Sequence, residues 1–297
     1  MSRHHGVDEL RAHPRFGEAV SCLTDGLVVL YGDDLKLVRS LFEYERALTF
    51  LIAVSVHFAE DRRDRATWLT LSLLQSSLAR VGINAPRRVR HLTEEMRADG
   101  LMSAEDMPGD RRSYRLRPSE RMLALDREWL MTFHAPLALL YPDNPRYSRA
   151  VAMERAYQAA YRRPSLRVLE IANGIIHRNL AFEFFLGQSA GIRILALLMQ
   201  AVGCRTGVRT PPGFYSDAAA RSGTSRGHIR NVMRTAGENG YLSIAGDRER
   251  TITVLPPLLA GYEQWIAESL SSTDWVSAVG CEEESITPLW APVAPAG

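Results

Sequence analysis

The chain has 297 residues, 46% of them hydrophobic and 24% charged, with a formal net charge of +2. That length accommodates two ordinary domains with cores of their own, and the near balance of charge excludes a chain that is strongly basic throughout. Lys36 is the sole lysine among 36 basic residues. The arginine excess fits both a GC-rich coding bias and the use of the guanidinium fork against phosphates and bases, so placement must decide.

The opening "MSRHHGVDELRAHPRF" has no apolar stretch of the signal-peptide type, and no export signal is expected. His4 and His5 read as a terminus rather than a metal site. The apolar "GEAVSCLTDGLVVLYG" comes next, and "SLFEYERALTFLIAVSVHFAE" reads as a buried helix. Its longest apolar run is too short to span a bilayer, so no membrane association is expected. "EDRRDR" from Glu60 reads as a solvated charge cluster. "TWLTLSLLQSSLARVG" is a second helix ending near Gly82. In "INAPRRVRHLTEEMRADG", Asn84 is a candidate N-cap, Pro86 suits the first turn and Gly100 the C-terminal stop. "LMSAEDMPGDRRSYRLRP" follows as a two-stranded hairpin with a Gly-Asp turn, and "SERMLALDREWLMTFHAPLALLY" returns to helix.

Pro142, Asp143, Asn144 and Pro145 punctuate a boundary. Beyond it, "SLRVLEIANGIIHRNLAFEFFLG" is apolar. "YSDAAARSGTSRGHIRNVMRTAGENGYL" gives helix, turn and helix, with Thr224 or Ser225 as N-cap and Gly240 as stop. "YLSIAGDRERTITVLP" gives a second hairpin and "PLLAGYEQWIAESL" a closing helix. Residues 276–297, rich in Pro and Ala, are expected to be loosely ordered. Cys22, Cys204 and Cys281 are isolated, without zinc-ligand or disulfide spacing, which fits a reducing compartment and leaves a redox-sensing thiol open.

The two halves align on each other in three ordered blocks: Gly26 over Gly174, Gly100 over Gly240, and Asp110 over Asp247. The spacing falls from 148 to 140 to 137 residues, so the second copy has shorter connections and a hairpin three residues nearer its helix. The expected fold is therefore mainly α with small β-hairpin wings. It consists of two tandem winged-helix domains related by internal duplication. One occupies 1–145 (helix-turn-helix about 66–100, wing about 101–117), the other 146–275 (helix-turn-helix about 212–240, wing about 241–255). The apolar stretches outside these units are expected to join the halves.

"PGDRRSYRLRPSERMLAL" resembles the wing of MarR-type winged-helix regulators. The resemblance implies that Asp110, and more loosely Asp247, organises the hairpin tip. It also implies that wing arginines meet phosphate or the minor groove. The Leu-Thr-x-x-Gly usual after that wing is replaced here by "LRPSER". About 65 residues of each half share the resemblance.

At 100° per residue, Val89, Leu92 and Met96 share a core face, as do Ile229, Val232 and Ala236. The opposite faces carry Arg87, His91 and Glu94, flanked by Arg88 and Arg90, and Gly227, Asn231 and Arg234, flanked by Arg226, His228 and Arg230. Arginine can bond guanine bidentately and asparagine adenine, so these are the candidate recognition residues. Arg111, Arg112, Arg115, Arg248 and Arg250 are the wing candidates. The two faces differ in chemistry, so the halves should read different half-sites.

The expected function is a transcriptional regulator binding double-stranded DNA as a single-chain pseudo-dimer on an asymmetric site, cytoplasmic and associated with a bacterial nucleoid. No cofactor or metal is expected. No phosphate-cradling glycine loop, nucleophile elbow or HExxH supports an enzyme. A small-molecule effector and self-association stay open as partners. Two alternatives share the fold: a replication-initiator-like protein, and a winged-helix assembly module of a chromosome-organising complex.

Overall fold

The computed structural model describes residues 4–32, 34–107, 110–166, 174, 178–246 and 250–282. The protein is mainly helical with two small antiparallel two-stranded sheets. The first helices are α1 (Val7–Ala12), α2 (Phe16–Val29), α3 (Leu35–Leu41) and α4 (Tyr44–Ala59). α5 (Leu71–Ala79) and α6 (Pro86–Ala98) lead to strands β1 (Met102–Met107) and β2 (Asp110–Pro118), and α7 (Glu120–Leu140) follows. α8 (Pro145–Val151) and α9 (Arg155–Ser165) cross over to α10 (Leu180–Leu186) and α11 (Gly191–Ala201). α12 (Phe214–Ser222), α13 (Arg226–Glu238), β3 (Leu242–Ala245), β4 (Thr251–Val254) and the long α14 (Pro256–Glu282) follow. The expectation of a loosely ordered segment from residue 276 is corrected as far as 282, where α14 continues with Val276, Ser277 and Ala278 buried; residues 283–297 lie outside the described residues.

Several helix starts follow from local chemistry. The side chains of Asp34, Thr70, Ser119, Asn144 and Asn179 each accept a bond from a backbone N–H in the first turn they precede, satisfying donors the helix cannot. α2 buries Ala19, Val20, Leu23, Leu27 and Val28, one stripe at helical spacing. That stripe lies against α7 and α11. At Gly26 a Cβ would sit 2.9 Å from the Thr132 methyl of α7, so glycine permits the approach. Gly174, its partner in the sequence alignment, has open space around it.

The expected division at 145/146 falls in the first turn of α8, and the core does not divide there. One hydrophobic cluster runs from Leu10 to Leu270. α4 packs on α9, and α1 packs on α14. Polar bonds follow the same route: Thr24 and Tyr262 share a hydroxyl bond of 2.9 Å, and Arg193 donates to the Leu27 carbonyl at 2.7 Å. The stretch "GEAVSCLTDGLVVLYG", which forms most of α2, thus makes contacts on both sides of residue 145. Of its companion stretch, residues 167–173 and 175–177 lie outside the described residues, and the described part, α10, packs on α11 and α14. No single helix among the described residues is long and apolar enough to cross a membrane.

A buried polar cluster ties α7, α8 and α9 to α14. Asp274, fully buried, accepts from the Tyr147 hydroxyl at 2.7 Å, from Arg146 at 3.2 Å and from the His5 backbone N–H at 2.7 Å. His134 is fully buried; its Nδ1 lies 2.6 Å from the Leu130 carbonyl, and its Nε2 faces the hydroxyls of Tyr157 and Ser277 at 2.8 and 2.9 Å. Burial holds its pKa down to about 3. The unfolded chain therefore takes up a proton near pH 6.5 that the folded chain refuses until about pH 3. Between those values stability must fall as pH falls, at up to about 1.4 kcal/mol per pH unit from this group. Urea unfolding at pH 7.5 and 5.5 should give a steeper loss for the wild type than for His134→Gln. Equal losses would show that His134 does not carry this dependence.

Candidate nucleic-acid interface

Two segments share an order of elements. In the first, α4 is followed by a short extended stretch at Leu69–Thr70, then α5, a turn, α6 and the β1–β2 hairpin. The extended stretch touches the hairpin through one bridge: Thr70 lies against Arg115, and the Leu116 N–H donates to the Leu69 carbonyl at 2.8 Å. In the second, α11 precedes a stretch in which Arg209 bridges Thr253 and the Thr210 N–H donates to the Ile252 carbonyl at 2.9 Å. α12, a turn, α13 and the β3–β4 hairpin follow. The paired residues Met102 and Pro118 are 16 positions apart, and Leu242 and Val254 are 12 apart. The second hairpin is thus four residues shorter, one more than the alignment of Asp110 with Asp247 implied.

α6 and α13 end alike. Gly100 and Gly240 take φ of +70° and +75°, which glycine adopts without a Cβ clash. The next N–H groups, of Leu101 and Tyr241, reach back to Met96 and Ala236 at 2.9 and 3.0 Å, closing a Schellman cap. The starts differ. Ser225 is the N-cap of α13 and accepts from the His228 N–H at 3.1 Å. The N-cap of α6 is Ala85, with no side-chain bond, so the expectation for Asn84 is corrected. Pro86 directly after it has no N–H to satisfy.

The core faces are where the helical wheel put them. Val89, Leu92 and Met96 are buried, with Thr93 beside them, and so are Ile229, Val232, Met233 and Ala236. Arg87, Arg90, His91 and Glu94 are exposed on α6; Arg226, Gly227, Arg230, Asn231 and Arg234 are exposed on α13. Among the described residues no ion pair engages Arg87, Arg90, Arg226 or Arg230. Arg234 pairs with Glu238 at 2.5 Å, one turn on, and His91 lies 3.6 Å from Glu95.

Three expected site residues are drawn elsewhere. Arg88 is bonded to Glu43 at 2.5 Å and Glu45 at 2.8 Å, and the bond to Glu45 raises its pKa further. It fastens α6 to the start of α4, helped by the pair Arg46–Glu95, while Lys36 of α3 pairs with Asp99 at the end of α6 at 2.5 Å. His228 is half-buried, its Nε2 3.0 Å from the Ser189 carbonyl. Arg115, 12% exposed, pairs with Glu60, and its guanidinium lies 4.3 Å from the Trp68 ring centre. Glu60 is itself 5% exposed; it also accepts from the Leu69 N–H at 2.6 Å and lies 3.4 Å from Arg117. The solvated reading of "EDRRDR" is therefore corrected at its first residue. Glu60 anchors the hairpin root to the end of α4.

Arg115 should accordingly act on folding rather than on phosphate. Arg115→Ala is expected to cost about 1–3 kcal/mol, because it strips a buried carboxylate of its closest partner. Urea unfolding measures this, and a cost below 0.5 kcal/mol, on the order of a neutral surface change, would contradict it.

At the hairpins, Asp110 pairs with Met107 beside an irregularity in β1, and Arg111 and Arg112 continue β2. Asp247 and Arg248 lie outside the described residues. Arg250 is exposed. Arg250 and Arg230 both lie close enough to Tyr215 of α12 to favour its phenolate, against a stronger upward push from burial. No protein-family model, curated protein or solved structure matches the chain.

Proposed function

We propose that the chain is a sequence-specific regulator that binds double-stranded DNA through two tandem winged-helix units related by internal duplication. α6 and α13 are its recognition helices and the two hairpins its wings. The reading rests above all on one observation. Two helices, each buried on one face, carry on the opposite face arginines that no ion pair engages among the described residues, and each sits between a turn and a hairpin bridged to one extended residue pair. A charged face on a lone surface helix is ordinary, but its recurrence in the same setting asks for a common anionic partner. The MarR-like wing at 109–117 is consistent with this, and nucleoid association in a bacterial cytoplasm follows from it.

The two exposed faces differ, Arg87, Arg90 and His91 against Arg226, Arg230 and Asn231. A single chain then reads two unlike half-sites without needing a partner copy. The deciding experiment is in vitro selection of bound DNA from a random pool. A two-part, non-palindromic motif is the expected result. No enrichment would sink the reading and favour a protein-assembly role, and enrichment of tandem repeats would favour a replication-initiator role.

A further inference from the structure

A cavity of about 250 Å³ lies where α2, α4, α7, α9, α11 and α14 meet. Its walls come from both sides of residue 145. Phe42, Trp129, Phe133 and Trp265 supply much of the surface. The cation on the wall, Arg162, is already engaged by both oxygens of Asp126, at 2.6 and 3.1 Å. The Ser55 and Ser165 hydroxyls are committed to carbonyls of their own helices. Three other wall hydroxyls, on Tyr31, Ser269 and Ser272, make no hydrogen bond among the described residues.

Tyr31 adds an independent observation. Its φ is +67°, a left-handed backbone that a bulky residue rarely adopts. Strain of this kind persists where the surroundings impose it, and it is a pointer to function. The conformation sets the ring at the cavity wall, edge-on to Phe42 with centroids 5.9 Å apart.

Size and chemistry together define an occupant. An apolar cavity of about 150 Å³ stays dry and takes up benzene, so this one has room for a larger flat molecule. Among the described residues of the wall a carboxylate would meet no uncommitted cation. We propose that the cavity binds an uncharged, mainly apolar compound of one or two aromatic rings, whose hydroxyl or carbonyl pairs with Tyr31, Ser269 or Ser272. We further infer that occupancy alters DNA affinity, a part that rests on the function proposed above. α4 leads into the stretch beside the first hairpin, and α11 into the stretch beside the second. A ligand held between these helices biases the relative placement of α6 and α13 by its differential affinity for the two arrangements.

The test uses the full chain and the uncharged fluorescent probe N-phenyl-1-naphthylamine. Saturable enhancement with one site per chain is expected, displaced by 1-naphthol at least ten times more effectively than by 1-naphthoate at pH 8. Ala47→Trp and Ser272→Phe fill the cavity from α4 and from α14, and each folded variant should bind at least tenfold more weakly. Tyr31→Phe keeps the shape and should weaken 1-naphthol more than the probe. Absence of saturable binding to the wild type, or undiminished binding in a folded filling variant, overturns the site. Saturating 1-naphthol should change affinity for the selected DNA at least threefold in the wild type and not in Ser272→Phe. Naphthol binding without that change overturns the coupling alone. Naphthol binding by a chain that selects no DNA overturns the proposed function and leaves the site standing.

Discussion

Asp126→Ala is expected to destabilise the protein by about 3–5 kcal/mol. Asp126 of α7 is fully buried and Arg162 of α9 is 3% exposed. Two bonds join them, the Gln158 amide donates to the same carboxylate at 2.7 Å, and the guanidinium lies 4.7 Å from the Trp129 ring centre. Removing the carboxylate leaves a cation in an apolar setting with ring faces for company. The cost is mostly the desolvation of that orphaned charge, not the attraction lost. The pair itself need not be worth much, since well-packed apolar residues often replace such pairs with little loss. Asp126→Leu combined with Arg162→Met should therefore recover most of the stability that Asp126→Ala loses. Urea unfolding of the three proteins separates the terms. A loss under about 1 kcal/mol for Asp126→Ala would place Arg162 in contact with water, against its burial.

On the proposed function, neutralising one arginine on each of α6 and α13 should have the largest effect on DNA binding. Arg87→Ala and Arg230→Ala are each expected to cost about 1–3 kcal/mol, roughly five- to 150-fold in affinity. The two sites share no partner, so the double variant should lose close to the sum. Each substitution should erase a different half of one footprint. Arg250→Ala, at a wing position, should weaken binding to all sequences alike and flatten the slope of log affinity against log salt by about one. Mobility shift or anisotropy titrations at several salt concentrations measure all of these. If Arg87→Ala and Arg230→Ala leave specific binding intact, α6 and α13 are not the recognition helices.

Helical periodicity was enough to separate the inner faces of α6 and α13 from the outer ones. The period of 3.6 residues is a local property, and each helix buries the stripe it carries. The stops at Gly100 and Gly240 and the cap at Ser225 were legible for the same reason: each depends on backbone groups within a turn. Asn84 was misread because Pro86, set at the first helical position, puts the cap at Ala85, one residue further on.

What the order of residues could not display is which arginines remain free. Arg88 meets carboxylates 43 and 45 positions away, and Arg115 meets Glu60 55 positions away. Nothing in the local pattern distinguishes them from Arg87 or Arg90. The bridges at Thr70 and Arg209 involve stretches too short for any alternation and exist because the hairpins offer them an edge. The shared core across residue 145 and the cavity within it also arise only from packing, since an apolar helix announces that it will be buried but not against what. The sequence by itself determined the elements, their buried faces and where they stop, because those rest on interactions within a few residues. The tertiary structure alone decided which charges are spent, how the halves are joined and where a ligand could fit, because these depend on partners that folding brings together.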